Sequence, residues 1–306
     1  METAGALLSQ LEERGYKGRI VSTRHVRELH EEIERHYSLN SFDEEFYRES
    51  LGGFVFTLPC GLPQAKSLVV VAVPQPQLQV TFHRNGKSHS LIIPPTYLCC
   101  SDRQVESILA NCLNPHGYHV LKAVLPLKLL AVRSGLGKYG KNNICYVPQM
   151  GSFHRLTAFY TDLPCSEDTW QRVEMLKNCH DCSACVRGCP TGAISSDRFL
   201  LRAERCITFY NERKGDFPGW MSSSWHNALV GCLYCQKVCP LNRPFLQWVE
   251  FGGDFSEKET ALLLREKSLD RLPSAVATKL RHLDLVEYLD VLGRNLSVVL
   301  TKEKGS

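Results

Sequence analysis

The stretch NCHDCSACVRGCPTGAI (178–194) carries Cys179, Cys182, Cys185 and Cys189, with Pro190 directly after the last. Further on stand Cys232, Cys235 and Cys239-Pro240, with Cys206 ahead of them. Thiolates at such spacings bind metal. Three cysteines separated by two residues each wrap one face of an iron–sulfur cube, and the cysteine before the proline reaches a second cube. That rule uses all of these cysteines: Cys179, Cys182, Cys185 and Cys239 hold one [4Fe–4S] cluster, and Cys189, Cys206, Cys232 and Cys235 hold the other. Structural zinc instead pairs two C-x2-C motifs about 15–20 residues apart, without a third cysteine on one loop. The spacing therefore favours clusters, which pass single electrons at low potential.

Composition agrees. The chain has 306 residues, 43% hydrophobic and 22% charged, which is ordinary for a globular protein of one or two lobes. A net charge of +4 is too mild to argue by itself for nucleic acid. No apolar run is long enough to span a membrane, and METAGALLSQLEERGYKG has no basic segment before its short apolar patch. The expected setting is the cytoplasm, where thiols stay reduced, so 14 cysteines argue for metal ligation over disulfides. The scattered Cys60, Cys99, Cys100, Cys112, Cys145 and Cys165 read as small buried hydrophobes.

The elements around the cysteines follow from periodicity. Residues 1 to about 60 read as mainly helical, with Val26, Leu29 and Ile33 on one face. SLVVVAVP (67–74) is a buried strand, and Asn85-Gly86 marks a type I′ hairpin within LQVTFHRNGKSHSLII. Ser101 and Gln104 suggest a capping box, YHVLKAV a strand, and LKLLAVRSGLG a helix stopped by Gly135. NNICYV and RLTAFYTDLP are further strands, and Ser256 with Glu259 caps a helical tail. The expectation is an α/β (α+β) lobe over 1–166, a double-cluster domain over 167–248 and a helical segment over 249–306. The lobe is long enough to hold something the electrons reach. Its closely spaced Gly135, Gly137 and Gly140, followed by Lys141 and Asn142, would let a ligand approach the backbone; a helix cap and turn would use the same residues.

The order GLGKYGKN…GSFHRLTAFYTDLP, then C-x2-C-x2-C-x3-CPTGAI, CITFY and GCLYCQKVCPLNRP, resembles the epoxyqueuosine reductases, whose core the reductive dehalogenases share. The similarity runs from about residue 67 to 300. It implies a lobe like the family's nitroreductase-like core, a bacterial ferredoxin-like double-cluster domain, and a cobalamin bound without its lower base. By position Gly135, Gly137, Gly140, Lys141, Asn142, Gly151, Ser152 and Arg155 would border the corrin. The implied activity is that of an oxidoreductase. Electrons would come from an external ferredoxin or flavodoxin, pass through two clusters to cobalt, and reduce an organic substrate, with tRNA or a corrinoid as candidates. No membrane partner is expected, and the chain reads as a monomer.

One departure matters. In epoxyqueuosine reductases an aspartate 13 residues before the glycine motif serves as proton donor; counting back from Ser134 (134 − 13) reaches Leu121. No acid lies between Glu106 and Asp162, and leucine cannot do acid catalysis. Tyr97, Tyr118, Tyr139 and Tyr146, with Lys138, Lys141 and Arg155 as neighbouring cations, supply no assignable substitute. Two other readings stay open: a protein that reduces or processes a corrinoid without an organic substrate, and a corrinoid-free electron carrier. The tail's Arg265, Lys267, Arg271, Lys279 and Arg281 alternate with acids, as on a solvated face.

Overall fold

In the computed structural model, residues 2–301 are described; Met1 and 302–306, the ends of the expected lobe and tail, lie outside them. The elements run α1 (Glu2–Glu13), β1 (Lys17–Ser22), α2 (His25–Ser38), α3 (Glu44–Phe46), β2 (Ser67–Pro74), β3 (Gln77–Arg84), β4 (Lys87–Ile93) and α4 (Cys100–Leu113). There follow β5 (Val120–Lys122), α5 (Leu127–Arg133), β6 (Lys138–Tyr139), β7 (Cys145–Tyr146), β8 (His154–Thr161), α6 (Ala184–Arg187) and α7 (Ile207–Glu212). The chain closes with α8 (Tyr234–Lys237), β9 (Val249–Phe255), α9 (Glu257–Leu263), α10 (Ser274–His282) and α11 (Leu289–Leu300). No helix among the described residues is long and apolar enough to cross a membrane.

The chain forms two compact units, each drawn from separated segments. The first comprises residues 1–75, 99–183 and 196–201. Its sheet has the order β1-β2-β8-β5, with every neighbour antiparallel. The unbroken apolar run of β2 is explained by burial on both faces. Leu68, Val70 and Ala72 join a core with α2 and α5, while Val69, Val71 and Val73 join one with α1 and α4. This is a helix–sheet–helix sandwich of the α+β kind.

The second unit comprises residues 76–98, 184–195 and 202–306. Its sheet has the order β4-β3-β9. Asn85 (φ 51°) and Gly86 (φ 69°) turn the β3–β4 hairpin in the expected I′ manner. β9 runs parallel to β3, and the register steps from Gln79↔Phe251 to Val80↔Gly253, leaving Gly252 as the bulged residue. A Cβ there would lie 3.0 Å from Leu283 and 3.1 Å from Leu78 and Val80. Phe82 and Phe255 stack 5.0 Å apart, both fully buried, over Leu263, Leu280 and Leu292.

Several expectations are corrected. β1 interrupts the N-terminal helices, because its Ile20 and Val21 alternate onto the two faces of the sheet. Helix α4 begins at Cys100 without a side-chain cap, so Ser101 lies inside it and forms no capping box. The Ser256–Glu259 box is present as expected. Both compact units are discontinuous in sequence, and in the second the β3–β4 hairpin pairs with the remote β9. Of the scattered cysteines only Cys112 and Cys145 are buried; Cys60 and Cys100 are exposed, Cys99 and Cys165 half-buried. Truncating the stacked ring tests the β3–β9 core: Phe82→Ala should lower the free energy of unfolding by about 3–5 kcal/mol in denaturant titration.

Candidate cluster and cofactor site

In the first unit α5 ends at Arg133, and Gly135 (φ +76°) takes the left-handed cap that the sequence suggested. The helix's last carbonyls are capped from afar. Gln171 donates to the oxygens of Arg133 (backbone N–H, 2.8 Å) and Val132 (side chain, 3.2 Å), and Thr169 Oγ1 to that of Ser134 at 2.9 Å. This strap, residues 169–176, then continues beside β6. Tyr139 donates its N–H to Glu174 O at 3.2 Å, and Leu176 donates to Tyr139 O at 2.8 Å. Three residues later comes Cys179.

The glycines of this stretch are largely spoken for by the chain itself. A Cβ on Gly137 would lie 2.6 Å from Cys145 Sγ and 2.7 Å from Tyr146 O. On Gly140 it would meet the Tyr146 ring at 2.5 Å and Asn142 Oδ1 at 2.7 Å. Gly135 faces the Gln171 amide at 3.2 Å. Asn142 donates to Tyr146 Oη at 3.1 Å, and Arg155 grips Asp102 through Nε (3.2 Å) and Nη2 (3.1 Å). Asp102, a buried acid that sequence patterning did not single out, also accepts from Lys122 at 2.8 Å. Its helical spacing gave no signal, since its partners lie on β5 and β8. Lys141 donates to Cys182 O at 2.8 Å and His180 O at 3.4 Å. Thus Lys141 and the cysteine loop are brought together, whereas Arg155 turns to α4.

Leu121 is on β5, in register with Tyr160, and 36% exposed. The Tyr160 hydroxyl is buried without a hydrogen-bond partner, and burial pushes it up to about 12. Tyr139 is also raised, by burial foremost. Tyr97 belongs to the second unit, where it donates to Glu212. An open cavity of about 630 Å³, lined by Arg24, Arg27, Lys66 and Cys165 among others, includes none of the predicted corrin neighbours.

The corrin rim is set with amide arms, so it calls for small residues and neutral hydrogen-bonding groups. Gly135, Gly151, Asn142 and Ser152 are of that type, and Asn142 and Ser152 are buried. By residue type this set suits a corrinoid rim; the Asn142 amide already serves Tyr146, and Gly137 and Gly140 are accounted for by Cys145 and Tyr146.

Cys179 and Cys182 lie in the first unit, the other six cysteines expected to be ligands in the second. In the second, α6 and α8 lead to Cys189-Pro190 and Cys239-Pro240 in the same way. Gly188 lets them pack, since a Cβ there would meet Val238 at 2.9 Å. Cys206 N-caps α7. Burial first, then the neighbouring Cys232 and Cys189 sulfurs, pushes the Cys206 thiol up to about 11, against hydrogen bonds from Thr208. Cys232 is likewise raised by burial, opposed by the Asn227 amide, which donates to its sulfur at 3.2 Å. Cys189, Cys206 and Cys232 thus act on one another electrostatically, and they are three of the four thiols expected to share a cluster. Among the described residues no three His, Cys, Asp or Glu converge on a single ion. A cubane needs no such convergence, because each thiolate binds its own iron. Gly137→Ala should lower the unfolding free energy by about 1–3 kcal/mol through overpacking, whereas Gly53→Ala, with nothing within 4 Å, should leave the thermal midpoint unchanged.

Comparison with known proteins agrees with this geometry. Residues 178–242 match the 4Fe-4S double cluster binding domain family. The epoxyqueuosine reductase of Bacillus subtilis is 36% identical over 116 residues, 38% of this chain and 29% of that protein, so the matched span is under a third of the relative's length. The structure of epoxyqueuosine reductase from Streptococcus thermophilus superposes with a TM-score of 0.69 at 19% identity, covering 98% of this chain and 81% of that one. Epoxyqueuosine reductase crystallised with an epoxyqueuosine-modified tRNA-Tyr stem loop gives 0.67 at 23%, with coverage of 98% and 81%. The chain therefore carries a double [4Fe–4S] cluster domain and, in sequence over that matched span and in fold over nearly its whole described length, is similar to the epoxyqueuosine reductases.

Proposed function

We propose that the protein is a cobalamin-dependent iron–sulfur reductase. The observation that carries this reading is the strap, which pairs with β6 at Tyr139 and leads directly into Cys179, with Lys141 bonded to the loop beyond it. A cofactor on the glycine stretch would thus lie beside a cluster loop. Cys179, Cys182, Cys185 and Cys239 would hold one cluster, and Cys189, Cys206, Cys232 and Cys235 the other. Binding a cluster displaces thiol protons, and it offsets the burial, and after it the neighbouring sulfurs, that raise Cys206. Asn227, Thr191 and Thr208 place donors at the sulfurs of Cys232, Cys189 and Cys206, which stabilises the more negative, reduced cluster.

Gly135, Gly151, Asn142 and Ser152 would border the corrin. When bound, the corrinoid supplies a strongly nucleophilic, low-potential cobalt. Opening an epoxide to an alkene and water takes two electrons and two protons, so a one-electron donor, ferredoxin or flavodoxin in kind, must deliver twice. The candidate substrate is a modified tRNA, by the similarity to epoxyqueuosine reductases. A second reading, reduction of a corrinoid itself, is favoured by one observation: Leu121 offers no proton where the resemblance places the donor.

The test is cobalamin retention. Anaerobically purified protein mixed with hydroxocobalamin and desalted should keep about one base-off corrinoid per chain, read from the visible spectrum and cobalt content. Cobalt lost on desalting would contradict the reading and leave an electron carrier. With corrinoid bound, conversion of epoxyqueuosine-modified tRNA supports the first reading, and reduction of free cobalamin alone the second.

A further inference from the structure

Three cations stand in the segment 134–155: Lys138, Lys141 and Arg155. Two are neutralised. Lys138 pairs with Glu174 at 2.6 Å, and Arg155 with Asp102 at 3.1 Å. Lys141 has no carboxylate partner among the described residues; its half-buried ammonium is spent on the carbonyl oxygens of Cys182 (2.8 Å) and His180 (3.4 Å). Both carbonyls lie in the loop that runs from Cys179 to Cys182. An ammonium that forgoes both full solvation and an acid is costly unless negative charge develops nearby. A thiolate-bound cluster supplies that charge. When it takes one electron from the external low-potential donor, passing from [4Fe–4S]2+ to [4Fe–4S]+, no bond breaks and no proton moves, and its negative charge grows by one.

We propose that Lys141 is a positioning residue that holds the Cys179–Cys182 loop by its carbonyls and, through its uncompensated charge, raises the reduction potential of the cluster these cysteines help bind. A fixed cation favours the reduced, more negative state over the oxidised one. The electron is thereby drawn to the cluster whose loop adjoins the glycine stretch. This rests on the double-cluster reading above.

The experiment is an anaerobic potentiometric titration followed by EPR on the full chain, comparing wild type with Lys141→Gln and Lys141→Arg, with iron counted in each. Lys141→Gln should keep wild-type iron and lower the midpoint of one cluster only. Held at the wild-type midpoint, the reduced-to-oxidised ratio of that cluster should fall about tenfold, or about 59 mV for one electron. Lys141→Arg, which keeps the charge, should restore the wild-type midpoint. Loss of iron in the glutamine variant alone, with wild-type potentials in the arginine variant, also supports the role of the charge. Unchanged potentials with full iron overturn the proposal, as does iron loss in both variants. A wild-type chain that binds fewer than two clusters removes the double-cluster reading itself, a result recognisable before any variant is made.

Discussion

The structure of the candidate site depends on a short backbone pairing. Tyr139 gives its N–H to Glu174 and receives that of Leu176, which pins the strap beside β6 and fixes where the cysteine loop begins. Upstream, Gln171 and Thr169 of the same strap satisfy the last carbonyls of α5. A helix end whose carbonyls are capped by a distant segment cannot shift without losing those bonds. The glycine stretch, the helix end and the first cysteine loop are therefore one mechanical piece. Trp170 adds to this hold, stacking on the buried His25 at 4.1 Å and donating to Glu28 at 2.9 Å.

Glycines in such a piece have two uses, and the structure separates them. Gly135 supplies a left-handed cap. Gly137 and Gly140 make room for the Cys145 and Tyr146 side chains of the same β6–β7 ribbon. Close spacing of glycines alone thus reports tight self-packing as readily as a ligand cradle. What sets this stretch apart is the pattern of charge: Lys138 and Arg155 are matched by acids, and Lys141 is matched by carbonyls.

The sequence was most legible where chemistry fixes spacing. A cubane constrains its thiolates to C-x2-C-x2-C, and the proline after the fourth cysteine is part of the same signature, so the cluster domain needed no structure to be seen. Asn85-Gly86 and Ser256–Glu259 were legible for a similar reason, each being a local geometry that few residues satisfy. The strand β9 was not legible. Its partner β3 lies about 170 positions away, its Gly252 bulge breaks the alternation, and Phe251 is exposed, so nothing local marks VEFGGDF as a strand. The discontinuity of the two compact units has the same cause, a pairing between remote segments. Likewise the burial of Cys112 and the exposure of Cys100, both on α4, depend on which helix face meets the sheet.

The central claim is that eight cysteines divide into two sets of four, each around an iron–sulfur cube. Mössbauer spectroscopy of protein grown on iron-57 and purified without oxygen tests it most directly. The account predicts about eight irons per chain, all in the signal of oxidised [4Fe–4S] clusters. About four irons, mononuclear ferrous iron, or a chain filled with zinc would contradict it.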